Sequence, residues 1–453
     1  MLFIVTLILS ITANSQQVRS SIFHLNEIEY NNDIIRAVSP NEIVVKTSSG
    51  EGTAFAFITN STVQCYVSVP QGYTVNDFEV LDGYIYFCGK KVNENKGCIG
   101  MLNILSPNQL FGLCKITTIE KSKNLTKLVA YNGPVASTVG IAAIGEPEDA
   151  TYTSCIVDFN NYNQSNSWKY SVGLSTKDYI TDITLVAPNE LATIGREKTE
   201  YVFGNLLNVN RMCVRTYKRT AMFTSGTANG VYCFQGLGTN NSNATYLAAQ
   251  VDESNIAVVK ATAGGTFVSG GVTTASGISL TNSIGIRIIN IPTMIMVKEQ
   301  TIDTTGNQIK DMVYFPNSKR LGIVSSLNDG FGEVYFPNLS KDADYTAFKL
   351  FRDDTYLNSI ARFNDDSFIM TSFINANISP ILTQFIHENV NDYKESSCTS
   401  DAKIRVSTVV ENIIPTYLEN PLEVTSYTIN FSTYMVTATE TEAILDCTSY
   451  YKQ

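Results

Sequence analysis

An all-β fold, a β-propeller of four-stranded blades, is predicted by three observations: a strand-forming composition, a hairpin that recurs, and strong strands that return at a blade-like interval. The chain has 453 residues, with 24 Tyr and 22 Phe, and only 16% of its residues are charged. β-Branched and aromatic side chains suit a pleated, half-buried surface, and apolar residues at helical spacing are nearly absent. The hairpin runs through Tyr84-Ile85-Tyr86-Phe87-Cys88, where Gly89 and the polar run Lys90 to Lys96 break the strand before the return Gly97-Cys98-Ile99-Gly100-Met101. Gly230-Val231-Tyr232-Cys233-Phe234-Gln235-Gly236 resembles its first half and precedes a second strand, Thr245 to Val251. A recurring hairpin implies a repeat protein.

Taken in order, the units open near Asp33, Asp77, Lys127, Ile180, Arg219, Thr262, Ile309 and Leu357. The steps between these starts are about 39 to 54 residues, the length of a propeller blade. Eight blades are the preferred count, and seven the alternative if Arg219 to Thr304 makes one large blade. Such blades bury both faces against their neighbours, and closure of the ring protects the edges. Closure is expected to use a strand from one terminus that completes the blade made by the other, the candidates being the leader around Phe23 and the C-terminal strands Lys403 to Val409 and Glu423 to Val436. Three unit starts place Asp beside an apolar residue, at Asp77, Asp182 and Asp311; a carboxylate there ordinarily caps nearby backbone N–H groups.

The N-terminus reads as a signal peptide over residues 1–15. Leu2 to Ile11 is apolar but too short to span a bilayer, and Ala13-Asn14-Ser15 offers small residues for cleavage after Ser15. The remainder, 16–453, is read as a single propeller domain with 395–453 as a closing or tail segment, exported to the periplasm, the cell surface or the medium. No later apolar stretch reaches membrane-spanning length.

Lys and Arg number 32 against 42 Asp and Glu, a net charge of −10. An acidic surface repels phosphate backbones, which argues against nucleic acid as a partner. The nine Cys are an odd number, so in an oxidising compartment one thiol stays free or pairs between chains. Cys88 with Cys98, flanking the hairpin loop, and Cys398 with Cys447, bracketing the tail, are the candidate disulfides. Cys65, Cys155 and Cys213 read as small buried apolar side chains.

Chemistry is thinly signalled. The only His residues, His24 and His387, are isolated, so neither a zinc site nor a Ser-His-Asp triad is supported. Asn364-Asp365-Asp366 reads as a solvated turn before a calcium site. No cofactor motif or metal site is expected and no catalytic residue is assigned. Trp168 is the only Trp and no Ser-x-Asp-x-Gly-x-Thr-Trp turn occurs, which argues mildly against glycan processing; most Tyr residues, as at Tyr84 and Tyr86, read as packing between blades.

The hairpin Tyr86-Phe87-Cys88-Gly89 followed by Gly97-Cys98-Ile99-Gly100 resembles a motif in secreted β-propeller proteins of Bacteroidetes, mostly of unassigned function. The resemblance is strongest over about residues 75 to 105, and Cys98 stands where an aromatic is usual. It implies a propeller and export, and no activity. The leading reading is a non-enzymatic binding module for an extracellular protein or glycan. Its rivals are a carboxylate-based hydrolase or lyase acting on polysaccharide and a structural subunit of a surface assembly.

Overall fold

The computed structural model describes residues 18–25, 31–39, 42–49, 52–59, 62–103, 111–132, 139–160, 169–187, 190–201, 207–218, 228–234, 246–262, 265–266, 279–280, 283–303, 308–326, 332–340, 345–350, 355–362, 368–374, 381–385, 399–401, 406–407, 422–439 and 443–450. Among them the secondary structure is strand apart from turns, bends and a short 3-10 turn at Val92–Glu94. Residues 1–15, Trp168, Asn364 to Asp366, His387 and Cys398, for which the sequence gives expectations, lie outside the described residues.

The strands form a β-propeller of six blades, counted as separate large sheets: one of nine strands, four of five and one of four, with a two-stranded ribbon beside them. Eight was the expected count and seven its alternative; both are corrected. The strand Ser432–Thr439 pairs on one side with Thr62–Ser68 and on the other with Phe111–Thr118, fusing the first two four-stranded meanders into a double blade. The expected fifth and sixth units also dissolve. Gly230–Phe234 pairs back onto Leu207–Lys218 as the outer strand of one blade, whereas Tyr246–Gln250 opens the next. The two are therefore not a hairpin. Their local pattern matches the Tyr84 hairpin, but pairing is decided by which sheet edge each strand can reach.

The innermost strands, Asn31–Ser39, Tyr73–Leu81, Ser122–Asn132, Asp178–Ala187, Tyr246–Gln250, Gln308–Phe315 and Thr355–Arg362, neighbour one another in that order, and the last lies against the first. The double blade supplies two of them. The leader strand Val18–Leu25 completes the last blade, lying between Ile381–Phe385 and Ala443–Tyr450; the expected C-terminal partners are corrected, since Val406–Ser407, Glu423–Thr428 and Ser432–Thr439 pair with other blades.

Alternation along each strand places side chains between blades. In Tyr84–Lys91, Ile85 and Phe87 pack with Phe78 of their own meander and Val44 and Phe55 of the first, while Tyr86 and Cys88 pack with Leu125, Ile141 and Val157 of the next blade. Burying a side chain such as Phe87 stabilises the fold by roughly 1.5–3 kcal/mol. Tyr84 is the departure from the expected packing role, since it is exposed and lies against Tyr86 at 6.0 Å between ring centroids.

The same alternation corrects the first disulfide. Cys88 faces Ile99 and Cys98 faces Gly89 across the hairpin, so the two thiols point to opposite sides of the sheet, into different cores, and both are free. Burial pushes the Cys98 thiol up to about 12 and holds that of Cys88 well above its usual value, so neither is a thiolate nucleophile near neutral pH. Among the described residues the disulfide is Cys213–Cys233, between directly opposed residues of the two outer strands of the four-stranded blade. Cys213 is thus bonded, not a free apolar side chain. Cys447 lies on the strand opposite Ile22.

Gly89 does not end its strand, which continues to Lys91. It faces a β-bulge in Tyr73–Leu81, where the register shifts between Val75 and Asp77. Gly145 and Gly195 face the matching bulges at Leu125/Lys127 and Ile180/Asp182. A Cβ at Gly89 would lie 1.9 Å from the Thr74 carbonyl oxygen. Gly89→Ala is expected to cost about 3 kcal/mol, because backbone on both sides must move; an unchanged denaturant midpoint would show that the bulge yields freely.

Candidate functional site

The bulges carry a repeated junction. The extra residue turns the next side chain toward the following blade, and at that position stand Ile34, Asp77, Lys127, Asp182, Asp311 and Ser359, each just past a register shift. Asp77 Oδ2 accepts the Leu128 N–H at 3.1 Å, Asp182 Oδ2 the Ala248 N–H at 2.8 Å, and Asp311 Oδ2 the Ile360 N–H at 3.2 Å. Ser359 Oγ accepts the Ile35 N–H at 3.3 Å. Each bond joins one inner strand to the next. The bulged residue adds a second link in two cases: Asn76 Nδ2 donates to the Leu125 carbonyl at 2.6 Å and Thr181 Oγ1 to that of Tyr246 at 3.1 Å. The three aspartates therefore do accept backbone N–H groups of the neighbouring blade, and Asp182 and Asp311 also accept those of their own Ile183 and Met312.

Asp77, Lys127, Asp182 and Asp311 line a central cavity of about 620 Å³, together with Arg36, Glu79, Gln250, Asp252, Glu253 and Arg362. Arg36 is its main cross-link. Nε donates to Glu79 Oε1 at 3.1 Å, Nη2 to Asp77 Oδ1 at 3.0 Å and Nη1 to the Ile35 carbonyl at 2.9 Å, with Asp311 Oδ2 at 3.8 Å. Burial works against the Arg36 charge, and the three carboxylates outweigh it, so the guanidinium stays ionised. Burial likewise disfavours the Lys127 ammonium, and Asp77, Asp182 and Asp311 reverse that, raising its pKa.

The carboxylates show the opposite stress. Burial pushes Asp182 up to about 6, against the pull of Lys127 and of the Ala248 and Ile183 N–H groups, and Glu79 is raised by burial despite Arg36. A folded-state pKa above the unfolded value means that the native state holds the proton more tightly. The Asp182 carboxyl therefore favours folding below about pH 4, and this contribution is lost as pH rises through 6. Between pH 7 and 5 the wild type is expected to gain about 1 kcal/mol from this group. Asp182→Asn, compared by denaturant titration at the two pH values, should lack that gain; identical slopes would place the titration elsewhere.

The unit-start reading marked Asp77, Asp182 and Asp311, and the structure brings all three to one cavity. It missed Arg36 and Glu79, which stand at matching places, just beyond the bulge on adjacent inner strands. It also passed over Lys127, although Lys127 opens a unit at the same repeat position as the aspartates. Among the described residues no group of three or more His, Cys, Asp or Glu is arranged to hold a metal ion, and no helix is long and apolar enough to cross a membrane.

No family model matches the chain, and no curated protein does. Among solved structures, the crystal structure of the Mitotic Checkpoint Complex is similar at 11% identity, covering 81% of this chain and 91% of that one with a TM-score of 0.46. The WD40 domain from Toxoplasma gondii coronin is similar at 10% identity, covering 82% and 88% with a TM-score of 0.45. Trypanosoma rangeli sialidase in complex with the inhibitor DANA follows at 9% identity, 79% and 55% coverage and a TM-score of 0.33. Likeness of this degree says nothing of the cavity, and the propeller assignment rests on this chain's own strand order and ring of inner strands.

Proposed function

We propose that this chain is an exported, non-enzymatic interaction module for an extracellular protein or glycan, engaged at the mouth of the central cavity. One observation carries the reading: the cavity's aspartates are committed to the scaffold. Both oxygens of Asp77, Asp182 and Asp311 accept hydrogen bonds from backbone, Arg36 or Ser359. A hydrolytic pair needs one carboxyl group free to give a proton and another free to attack or to activate water. Here the aspartates instead hold adjacent blades together. Export is supported by the apolar leader with its small-residue cleavage site, by the resemblance to secreted propellers of Bacteroidetes and by the Cys213–Cys233 disulfide, a bond of oxidising compartments.

The raised pKa values of Asp182 and Glu79 are what favour the polysaccharide hydrolase or lyase as a second reading. Purified chain incubated with a panel of soluble polysaccharides decides between them. No release of new reducing or unsaturated ends is expected. Turnover by the wild type that disappears in Asp182→Asn or Glu79→Gln, with the fold intact by circular dichroism, would replace the module with an enzyme.

A further inference from the structure

Lys127 is the charged donor at the ring's repeated position, where Ile34 is apolar and the other residues just past a bulge are oxygen acceptors. At its position Asp77, Asp182, Asp311 and Ser359 each present an oxygen that accepts an N–H from the next inner strand. A lysine ammonium can only donate, and the Ile183 N–H that it leaves is taken up by Asp182 Oδ1 at 2.9 Å. With that N–H satisfied, and with Ile34 showing that an apolar residue suffices at this position, a cavity-lining ammonium brings the scaffold no gain, and a costly local choice without structural gain is where function is expected. Among the described residues the Lys127 ammonium forms no hydrogen bond or ion pair, and it lines the cavity within electrostatic reach of three carboxylates.

From this arrangement, and resting on the interaction-module reading, we infer that Lys127 is the anchor of a binding site in the central cavity for a neutral, polyhydroxylated ligand, the end of an uncharged glycan. The ligand must bring an oxygen to meet the ammonium. A fully anionic group is disfavoured, because Asp77, Glu79, Asp182, Asp252, Glu253 and Asp311 outnumber Arg36, Lys127 and Arg362 along the lining. A hydroxyl satisfies both sides, accepting from Lys127 and donating to acceptors on the wall. Two such acceptors are at hand: Glu79, which uses one carboxylate oxygen on Arg36, and Gln250, whose Nε2 is held by the Val186 carbonyl at 2.7 Å. A cavity of about 620 Å³ is in the range of small-ligand sites.

The test uses the full chain and two sets of oligosaccharides: neutral oligomers of glucose, galactose, mannose and N-acetylglucosamine, and sialylated or sulfated ones. Binding is measured by calorimetry for the wild type and for Lys127→Ser, which copies the acceptor already used at Ser359 and so keeps the junction. A neutral oligomer is expected to bind, with affinity at least ten-fold weaker in Lys127→Ser. Should that variant misfold, reductive methylation of the wild type followed by mass spectrometry carries the test, with Lys127 protected by the bound oligomer and the exposed Lys169 not. Equal affinity in the variant, or equal methylation with and without ligand, overturns the anchor while leaving the module reading in place. Binding confined to the anionic set, or to a protein partner alone, overturns the ligand class. Release of new reducing ends is a different failure, that of the module reading itself.

Discussion

Arg36→Met is expected to destabilise the protein by about 3–5 kcal/mol, the usual loss when one member of a buried ionic network is removed and its partners are left charged. Arg36 holds Asp77 and Glu79 directly and lies 3.8 Å from Asp311. It therefore compensates carboxylates from two inner strands besides its own. Its guanidinium also sits 5.7 Å from the centre of the Phe78 ring, a contact that methionine replaces in volume but not in charge. Against a typical total stability of about 5–15 kcal/mol this is a large fraction. The loss should be greater at pH 8 than at pH 5, because Glu79, already raised by burial, takes up a proton as pH falls and removes one of the orphaned charges. Denaturant unfolding at the two pH values reads both effects. A loss below about 1 kcal/mol would mean that water in the cavity already screens these carboxylates.

Deleting the chain from Leu422 onward is expected to abolish the soluble native state. The C-terminal strands are added one after another to outer blade edges: Thr399–Asp401 to Tyr345–Leu350, Val406–Ser407 to Ile295–Asp303, Glu423–Thr428 to Lys169–Ser175, Ser432–Thr439 between the two halves of the double blade, and Ala443–Tyr450 to the leader strand. Among the described residues the chain thus runs backward round the rim, blade after blade. The deletion uncovers the edges held by the last three of these strands, cuts the double blade in two and strips the sheet that closes the ring. Open strand edges template aggregation. The four-stranded blade has no added strand among the described residues, and there the Cys213–Cys233 bond ties the outer strand to its neighbour. Size-exclusion chromatography and a thermal melt check the expectation, and a monomeric product melting with the full-length chain would show that the rim strands are dispensable.

Composition and pattern determined that the chain is all strand, that it is a propeller and that a leader strand joins the last blade. Those properties follow from short-range preferences: alternation, β-branched and aromatic content, and spacing. The positions of Asp77, Asp182 and Asp311 were legible for the same reason, since a repeated unit repeats its junction. Tertiary structure alone decided the rest. The count of blades turned on Ser432–Thr439 inserting between two edges more than 300 residues away in sequence, and on Gly230–Phe234 choosing the edge behind it. Local residue identity does not encode such choices, because every open edge offers the same backbone groups. Cysteine pairing turned on register, because a shift of one residue sends Cys88 and Cys98 to opposite faces of the sheet. The cavity is a product of ring closure: Arg36, Glu79, Lys127 and the aspartates are unremarkable strand residues until curvature brings the inner strands together. Only there does a lysine among acceptors become an exception with chemical meaning.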